Sequence, residues 1–113
     1  MILTEAEGSF HMGLKYAFLL MGDGLDPAVH QAHFANECND VSVYGVDNIE
    51  LACAKARELI DEGVELIELC GAFHTAFTKQ VIAAVGGKIP IGNVTHLDSE
   101  DEKFIKLFGK QEK

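Results

Sequence analysis

The sequence is poor in basic residues and has no long hydrophobic run. Nine Lys and Arg residues stand against 18 Asp and Glu residues, which gives the 113-residue chain a formal charge of −9. The few cations are scattered, whereas binding of nucleic-acid phosphates requires a basic patch, so a nucleic-acid partner is not expected. The longest apolar run, residues 16–21, has the length of a strand and is too short to cross a bilayer. A membrane partner is therefore not expected either.

Cysteine is also scarce, and its distribution argues against disulfide bonds. Cys38, Cys53 and Cys70 are an odd number of thiols, lie in separate predicted elements and show no CxxC spacing. This pattern favours free thiols in a reducing compartment. The amino terminus lacks the basic start and apolar core of a secretory signal, so a cytoplasmic location is predicted.

Several nucleotide and catalytic motifs are missing. GxGxxG does not follow the first apolar segment, and neither GxxxxGK[ST] nor GxSxG occurs in the chain. No lysine stands at the carboxyl end of a predicted strand, where Schiff-base chemistry would need one. These absences disfavour dinucleotide and P-loop nucleotide binding, and no cofactor is predicted.

What is present is the composition of a folded domain, with 48% hydrophobic and 24% charged residues. We predict a single α/β domain over residues 14–113, close to the commonest domain size. Residues 1–13 show no sustained period and include Gly-Ser-Phe-His-Met. We interpret this segment either as an arm or extra edge strand, or as a cloning remnant ahead of a native start at Met12.

Apolar runs and helical periods alternate along the chain. Four strands are predicted, at residues 14–21, 41–46, 64–70 and 89–94. Three helices are predicted between and after them, at about residues 27–37, 49–62 and 75–85. Asp26 and Pro27 mark the start of the first helix, and Asp47 with Glu50 resembles a capping box for the second.

A last helix is predicted near the carboxyl terminus. Ser99 with Glu102 resembles another capping box, and Phe104, Leu107 and Phe108 are expected to face inward. A Phe-rich helix face or an edge strand of a thin sheet is also a surface that subunits bury between them. A homodimer or higher homo-oligomer is therefore predicted.

The repeated alternation of strand and helix favours the α/β class, with parallel strands and right-handed crossovers. Because only four strands are predicted, we expect a small, mainly parallel sheet flanked by helices, as in a flavodoxin-like or Rossmann-like open sandwich. An antiparallel split-βαβ fold is the alternative, since alternation alone does not prove parallel pairing.

Polar residues and glycines follow each predicted strand. In an open parallel sheet, ligands bind beyond the carboxyl ends of the strands, so these residues are expected to share one rim. Helix amino termini at the same rim favour an anionic ligand. The predicted ligand-binding residues are Gly22, Asp23, His74 and Asn93.

Glu68 is an unusual residue because it interrupts the apolar segment VELIELC. Alternation places Leu66, Glu68 and Cys70 on one face of that strand. A buried carboxylate there would have a raised pKa and could act as a general acid or base. The alternative is a face partly open at an edge or subunit contact, with Glu68 solvated or paired.

Cys70 and His96 complete the predicted catalytic set with Glu68. A thiolate at a helix amino terminus is stabilised, and His96 or His74 could serve as its base if the third and fourth strands are neighbours. A buried cysteine is more often a small hydrophobic residue.

The histidines of the sequence do not predict a metal site. His30 and His33 are three residues apart, so on a helix they would share a face, and with His96 they could hold zinc. No HExxH motif is present, and surface histidines without a metal are the more common case.

Three stretches carry a resemblance: LKYAFLLMGDGLDPAVHQAHF, VYGVDNIELACAKARELIDEGVELIELCGAF and IPIGNVTH. Together they resemble a family of small bacterial and archaeal α/β proteins known as a domain of unknown function, over residues 14–96. The resemblance implies a small α/β fold and no particular activity. A local similarity links ACAKARELIDEGVELIELC to keto-hydroxyglutarate aldolase barrels, in which a strand glutamate assists catalysis, but their Schiff-base lysine has no counterpart here.

Two main functions are consistent with these features. The first is binding of a small polar or anionic metabolite at the carboxyl ends of the strands, with or without a minor metabolic reaction. The second is a non-catalytic homo-oligomeric or partner-binding module. The first is preferred because Glu68 breaks a folding rule without local compensation.

Overall fold

The computed structural model describes residues 13–110. The prediction made for the amino-terminal segment therefore falls outside the described residues, except at Gly13. In chain order the elements are β1 (Leu14–Met21), β2 (Gln31–Ala35), β3 (Asn39–Val46), α1 (Ile49–Asp61), β4 (Leu66–Leu69), α2 (His74–Ala84), β5 (Ile91–Asn93) and α3 (Asp101–Phe108). Short 3₁₀ turns precede α2 and α3, at Gly71–Phe73 and Asp98–Glu100.

The strands form one sheet in the order β2-β3-β1-β4-β5. β1 pairs in parallel with β3 and β4, and β4 pairs in parallel with β5, whereas β2 is antiparallel to β3 at one edge. The α/β class and the mainly parallel sheet are therefore confirmed, and the architecture is compatible with a flavodoxin-like open sandwich. The sheet has five strands, one more than predicted.

The additional strand replaces the helix predicted at residues 27–37. Asp26 starts only a single turn, in which its side chain accepts the Ala28 N–H and its carbonyl accepts the His30 N–H. The chain then becomes extended and pairs with β3, from Gln31 opposite Tyr44 to Ala35 opposite Asp40. Pairing with a strand distant in sequence outweighs the local helix signals here, because propensity is a weak prior.

One face of the sheet is covered by α1 and α2. The buried core combines Ala17 and Leu19 of β1 with Ile67 and Leu69 of β4, and α1 and α2 contact each other above them. The helical side chains that close this core are Ala52, Ala56, Leu59 and Val81. These strand positions alternate, as expected for a face that points at a helical layer.

The other face, which we call the open face, carries the alternate side chains. It is formed by Tyr16, Phe18, Leu20, Val41, Val43, Leu66 and Glu68, which are neighbours by strand register. None of these residues belongs to the core cluster, and within residues 13–110 the helices α1 and α2 lie on the opposite side. Leu20 is 40% exposed, most of the others are half-buried and Val41 is buried, so this face is largely apolar and only partly accessible.

The last helix, α3, projects from the sheet. Phe104 stacks on His96, with ring centroids 3.8 Å apart, but Leu107 and Phe108 are 74% and 62% exposed. The prediction that Phe104, Leu107 and Phe108 all face inward is wrong, since most of the surface of Leu107 and Phe108 is accessible to solvent. None of the helices within residues 13–110 combines the length and apolarity needed to cross a membrane.

Candidate functional site at the carboxyl ends of the strands

The parallel strands bring the predicted ligand-binding residues to one rim. Register places Met21 beside Val46 and Leu69 beside Asn93, so the segments that follow these strands emerge together. The rim therefore collects the turn after β1, the start of α1, the 3₁₀ turn before α2 and the segment after β5.

Hydrogen bonds connect the turn after β1 to the end of β3 and the turn that follows it. The Gly24 N–H donates to Asp47 Oδ1 at 2.9 Å, and the Gly22 N–H donates to the Val46 carbonyl at 3.0 Å. Gly24 has φ +80°, a conformation that glycine adopts without strain. Asp23 lies between these fixed residues with an exposed side chain.

The sequence predicts that Asp47 caps α1, but in the structure the cap is the neighbouring residue. Asn48 is the residue before α1, and its Oδ1 accepts the Leu51 N–H at 2.9 Å. Asn is as good an N-cap as Asp, so the local signal was ambiguous by one residue. The Asp47 side chain instead accepts the hydrogen bond from the Gly24 N–H.

Cys70 follows β4 and is half-buried against the core. Its Sγ lies 3.4 Å from the Met21 nitrogen and accepts that N–H, while its own N–H donates to the Leu19 carbonyl. The thiol is therefore a link between β1 and β4 at the rim. In residues 13–110, no hydrogen bond joins it to Glu68 or to either predicted base.

His74 has the most unusual backbone at the rim. As the first residue of α2 it has φ +39° and ψ −173°, and it is the one non-glycine residue between 13 and 110 with positive φ. Its ring stacks on Phe77 with centroids 4.6 Å apart, and its Nδ1 atom is buried. Its carbonyl accepts the Thr78 hydroxyl at 2.7 Å. Such strain persists only where the surroundings enforce it, and it clusters at functional sites.

The amino terminus of α2 carries no acidic side chain in its first turn and no side-chain cap. The backbone N–H groups at a helix start, together with the helix dipole, favour a negatively charged group. The strained residue thus lies where an anion would be stabilised.

The side chain of His96 contacts two residues of α3. Its Nε2 lies 2.9 Å from Asp101 Oδ1, and its ring is nearly parallel to Phe104, at 7°. No hydrogen bond connects it to Cys70 within the described part of the chain. Asn93 remains at the rim, half-buried at the end of β5 and in register with Leu69.

Glu68 lies on the open face, between Phe18 and Gly92 in register. Its side chain is half-buried and its carboxylate lies over the backbone of Gly92, where an added methyl group would come within 3.1 Å of Glu68 Cδ. The position matches the sequence alternative of a partly open face. Gly92 was missed because its role depends on strand register, which no local pattern specifies.

The histidines considered for a metal site are engaged elsewhere. His30 Nδ1 accepts the Asp26 N–H at 2.9 Å in a turn, and His33 Nε2 lies 2.7 Å from Asp40 Oδ1 on the edge strand β2. The prediction that His30 and His33 share a helix face is wrong, because this segment is a turn followed by β2. Within residues 13–110, no group of three or more His, Cys, Asp or Glu side chains has a metal-binding arrangement.

Two shallow cavities lie away from the rim. One, of about 350 Å³, is near the amino ends of the strands and is lined by Lys15, Asn36, Asp40 and Glu65 among others. The second, of about 280 Å³, lies between the carboxyl ends of α1 and α2, beside Arg57 and Lys88. Neither is lined by a predicted site residue.

Comparison with known proteins gives one family. No curated protein and no solved structure matches the chain significantly. A sequence model described as "Family of unknown function (DUF6506)" matches residues 14–109, which is nearly all of the described chain. It includes the strained His74, Cys70 and every strand end of the rim. The chain therefore belongs to this family of unknown function.

Proposed function

We propose that the chain binds a small polar or anionic metabolite at the carboxyl ends of its strands. The contacts would come from Gly22, Asp23, His74 and Asn93, with the amino terminus of α2 receiving the negative charge. The predicted catalytic residues Glu68, Cys70 and His96 share no hydrogen bond in residues 13–110. Binding is therefore the proposed function, and catalysis by these three residues stays a prediction.

The observation that carries this proposal is the conformation of His74. A left-handed φ at a residue other than glycine opposes folding by roughly 1–2 kcal/mol. The half-buried imidazole occupies the strand end where ligands of open α/β sheets bind. A ligand contact made by the imidazole would explain why histidine, and not glycine, stands at this strained backbone position.

A titration monitored by amide NMR tests the proposal. Inorganic phosphate and succinate serve as probes of a tetrahedral anion and a small dicarboxylate, added separately at constant ionic strength. Saturable shifts should concentrate at residues 22–24 and 71–76 and be weakened at least about tenfold by His74→Gly. His33→Gly, which removes an exposed histidine on β2, is the matched control and should leave the shifts unchanged. Shifts spread over the surface, or equal in both variants, would refute rim binding by His74.

We further propose that the protein works in the cytoplasm without a nucleic-acid partner. Cys38, Cys53 and Cys70 are all free thiols, which suits a reducing compartment. The charge of −9 would repel nucleic-acid phosphates. A fluorescence-polarisation titration with labelled single- and double-stranded DNA and RNA should show no saturable binding at 150 mM salt.

A second candidate function is self-association into a homo-oligomer. The observation that favours it is the amount of apolar side chain left accessible on the open face and on α3, where Leu107 is 74% exposed. Contiguous apolar surface of this kind marks association sites. Sedimentation velocity should give a particle of at least twice the 12.3 kDa chain mass, and a single 12.3 kDa species up to about 100 μM would rule it out.

A further inference from the structure

β2 is an edge strand whose outer side is accessible. Among residues 13–110 it pairs with β3 alone, and all five of its residues, Gln31–Ala35, are exposed. The opposite edge of the sheet is different, because β5 has three residues and follows Pro90, which has no backbone N–H. Of the two edges, β2 is therefore the one available to a further strand.

The hydrogen bonds between β2 and β3 identify the backbone groups that point outward. At one end of β2 the Gly45 N–H donates to the His30 carbonyl. Hydrogen-bonded pairs alternate along antiparallel strands, so the even-numbered residues of β2 bond to β3. The N–H and C=O groups of Gln31, His33 and Ala35 therefore point away from the sheet. Within residues 13–110 no hydrogen bond to these outward backbone groups is present.

β2 has none of the features that commonly prevent edge strands from pairing with other chains. Those features are charged side chains, prolines, bulges and covering loops. The strand QAHFA contains no Asp, Glu, Lys, Arg or Pro, and its register with β3 runs without a bulge. The absence of charge is notable in a chain with 18 acidic residues, and Phe34 on this strand is 61% exposed. The outer edge of β2 is thus a neutral, partly apolar strip on an acidic molecule.

The strand is also complementary to a second copy of itself. A two-fold axis at His33 places Gln31 opposite Ala35 of an antiparallel copy, and His33 opposite its counterpart. All of these residues point outward, so each facing pair makes two backbone hydrogen bonds. Phe34 then lies opposite Ala32 of the other copy, in the closer type of pair with Cα atoms about 4.5 Å apart. The large exposed ring covers a small side chain there, which favours the pairing.

We propose that two copies of the chain join through β2, antiparallel and centred on His33, so that the two five-stranded sheets continue as one. This contact involves neither α3 nor the open face, so it goes beyond the second candidate function. The two-fold axis uses the β2 edge of each copy once, so the contact closes after two copies. Five residues extend for about 17 Å, and the interface is smaller than the standard one of about 800 Å² per partner. The association is therefore weak and reversible.

The charged residues closest to β2 determine how the association depends on salt. Asp40 lies 2.7 Å from His33 within each copy, and Asp26 and Glu37 lie in the turns before and after the strand. In the antiparallel register, the Glu37 end of one copy lies beside the Asp26 end of the other. Each copy also has a charge of −9. Association should therefore be stronger at 0.5 M than at 0.05 M salt, because screening reduces the repulsion.

Disulfide trapping tests the proposed register. Every chain carries Cys38→Ser, which removes the exposed native thiol. Facing residues of the hydrogen-bonded type have Cα atoms about 5.5 Å apart, which suits a disulfide. His33→Cys should therefore form a covalent dimer with diamide at pH 8 at least about tenfold faster than Gln31→Cys or Ala35→Cys. Those two residues lie about 14 Å from their own counterparts, but a mixture of Gln31→Cys and Ala35→Cys should cross-link as His33→Cys does.

A proline at the strand edge tests the backbone hydrogen bonds. Ala35→Pro removes an outward N–H and leaves the donors to β3 in place. Added to the His33→Cys chain, it should slow cross-linking at least about tenfold, whereas the matched control Ala35→Val, which keeps the N–H, should not. Circular dichroism confirms the folding of each variant.

Two outcomes would overturn the pairing through β2. Equal cross-linking rates of the three single cysteine variants would mean random collision. Faster cross-linking of Gln31→Cys or Ala35→Cys alone would mean a different register. Both results concern β2 only, so they leave the second candidate function to its own sedimentation test.

Discussion

The two faces of the sheet are built from the same strands, yet they have different surroundings. On β1, Ala17 and Leu19 are fully buried beneath α1 and α2, whereas Leu20, the next residue along, is 40% exposed. Both sets of side chains are apolar, so residue type does not separate them. The separation comes from the topology, because both crossover helices pack on one side.

This difference bears on why β1 is apolar from Tyr16 to Met21 although only half of these side chains face the chain's own core. A strand with one solvated face normally alternates apolar and polar residues. The unbroken apolar run YAFLLM is the pattern of a strand covered on both faces. The self-association proposed as the second candidate function would supply that second cover.

The largest effect is expected from truncating adjacent leucines on opposite faces. Leu19→Ala should lower the free energy of unfolding by about 2–5 kcal/mol, because it opens a cavity in a closed core. Leu20→Ala should lower it by less than about 1 kcal/mol in dilute protein, where the open face is solvated. Urea denaturation at several protein concentrations measures both. Equal losses in dilute protein would contradict the assignment of the two faces.

A smaller effect is expected from removing the strain at the rim. His74→Gly and His74→Ala both delete the imidazole and its contact with Phe77, but only glycine accepts φ +39° readily. The glycine variant should therefore be about 1 kcal/mol more stable than the alanine variant in thermal or urea unfolding. Alanine being the more stable would show that the left-handed conformation is not retained.

The reactivity of the thiols compares a covered region with an exposed one. Burial raises the pKa of the Cys53 thiol on α1; nearby Arg57 partly opposes the rise and Glu50 adds to it. Because the thiolate is the nucleophile, Cys53 should be alkylated by iodoacetamide several-fold more slowly than exposed Cys38 at pH 8. The alkylation rate of Cys53 should also begin to rise at a higher pH than that of an unburied thiol. Mass spectrometry of timed samples measures both sites, and faster labelling of Cys53 would contradict its burial.

The smallest effect is expected at Gly92, beneath Glu68. A methyl group there meets the end of a flexible side chain, which can swing toward solvent. Gly92→Ala should therefore change the free energy of unfolding by less than about 1 kcal/mol, within the ordinary range for surface substitutions. A loss above about 2 kcal/mol that disappears in the Glu68→Ala background would show that the carboxylate is held in place.

Much of the fold could be predicted because its signals are local. The apolar run of β1 and the periodic stripe of α1 each follow from residues close in sequence, and both elements lie where expected. β2 could not be predicted in this way, because its pairing with β3 depends on tertiary contacts that override a favourable helix start at Asp26.

The site was predictable in its location more than in its geometry. Parallel pairing was enough to bring Gly22, Cys70 and Asn93 to one rim. The left-handed φ of His74 and the position of Glu68 over Gly92 depend on turn conformation and strand register, which composition does not encode. The orientation of His96 toward Asp101 depends on where α3 lies.

Hydrogen–deuterium exchange of the unmodified chain at two concentrations tests most directly whether the exposed apolar side chains of α3 are buried between copies of the chain. Amides of residues 104–108 should exchange at least about tenfold more slowly in the concentrated sample, where dimers predominate, while those of α1 should exchange equally in both. Exchange of α3 that is fast and independent of concentration, in a sample shown to contain dimers, would contradict the account.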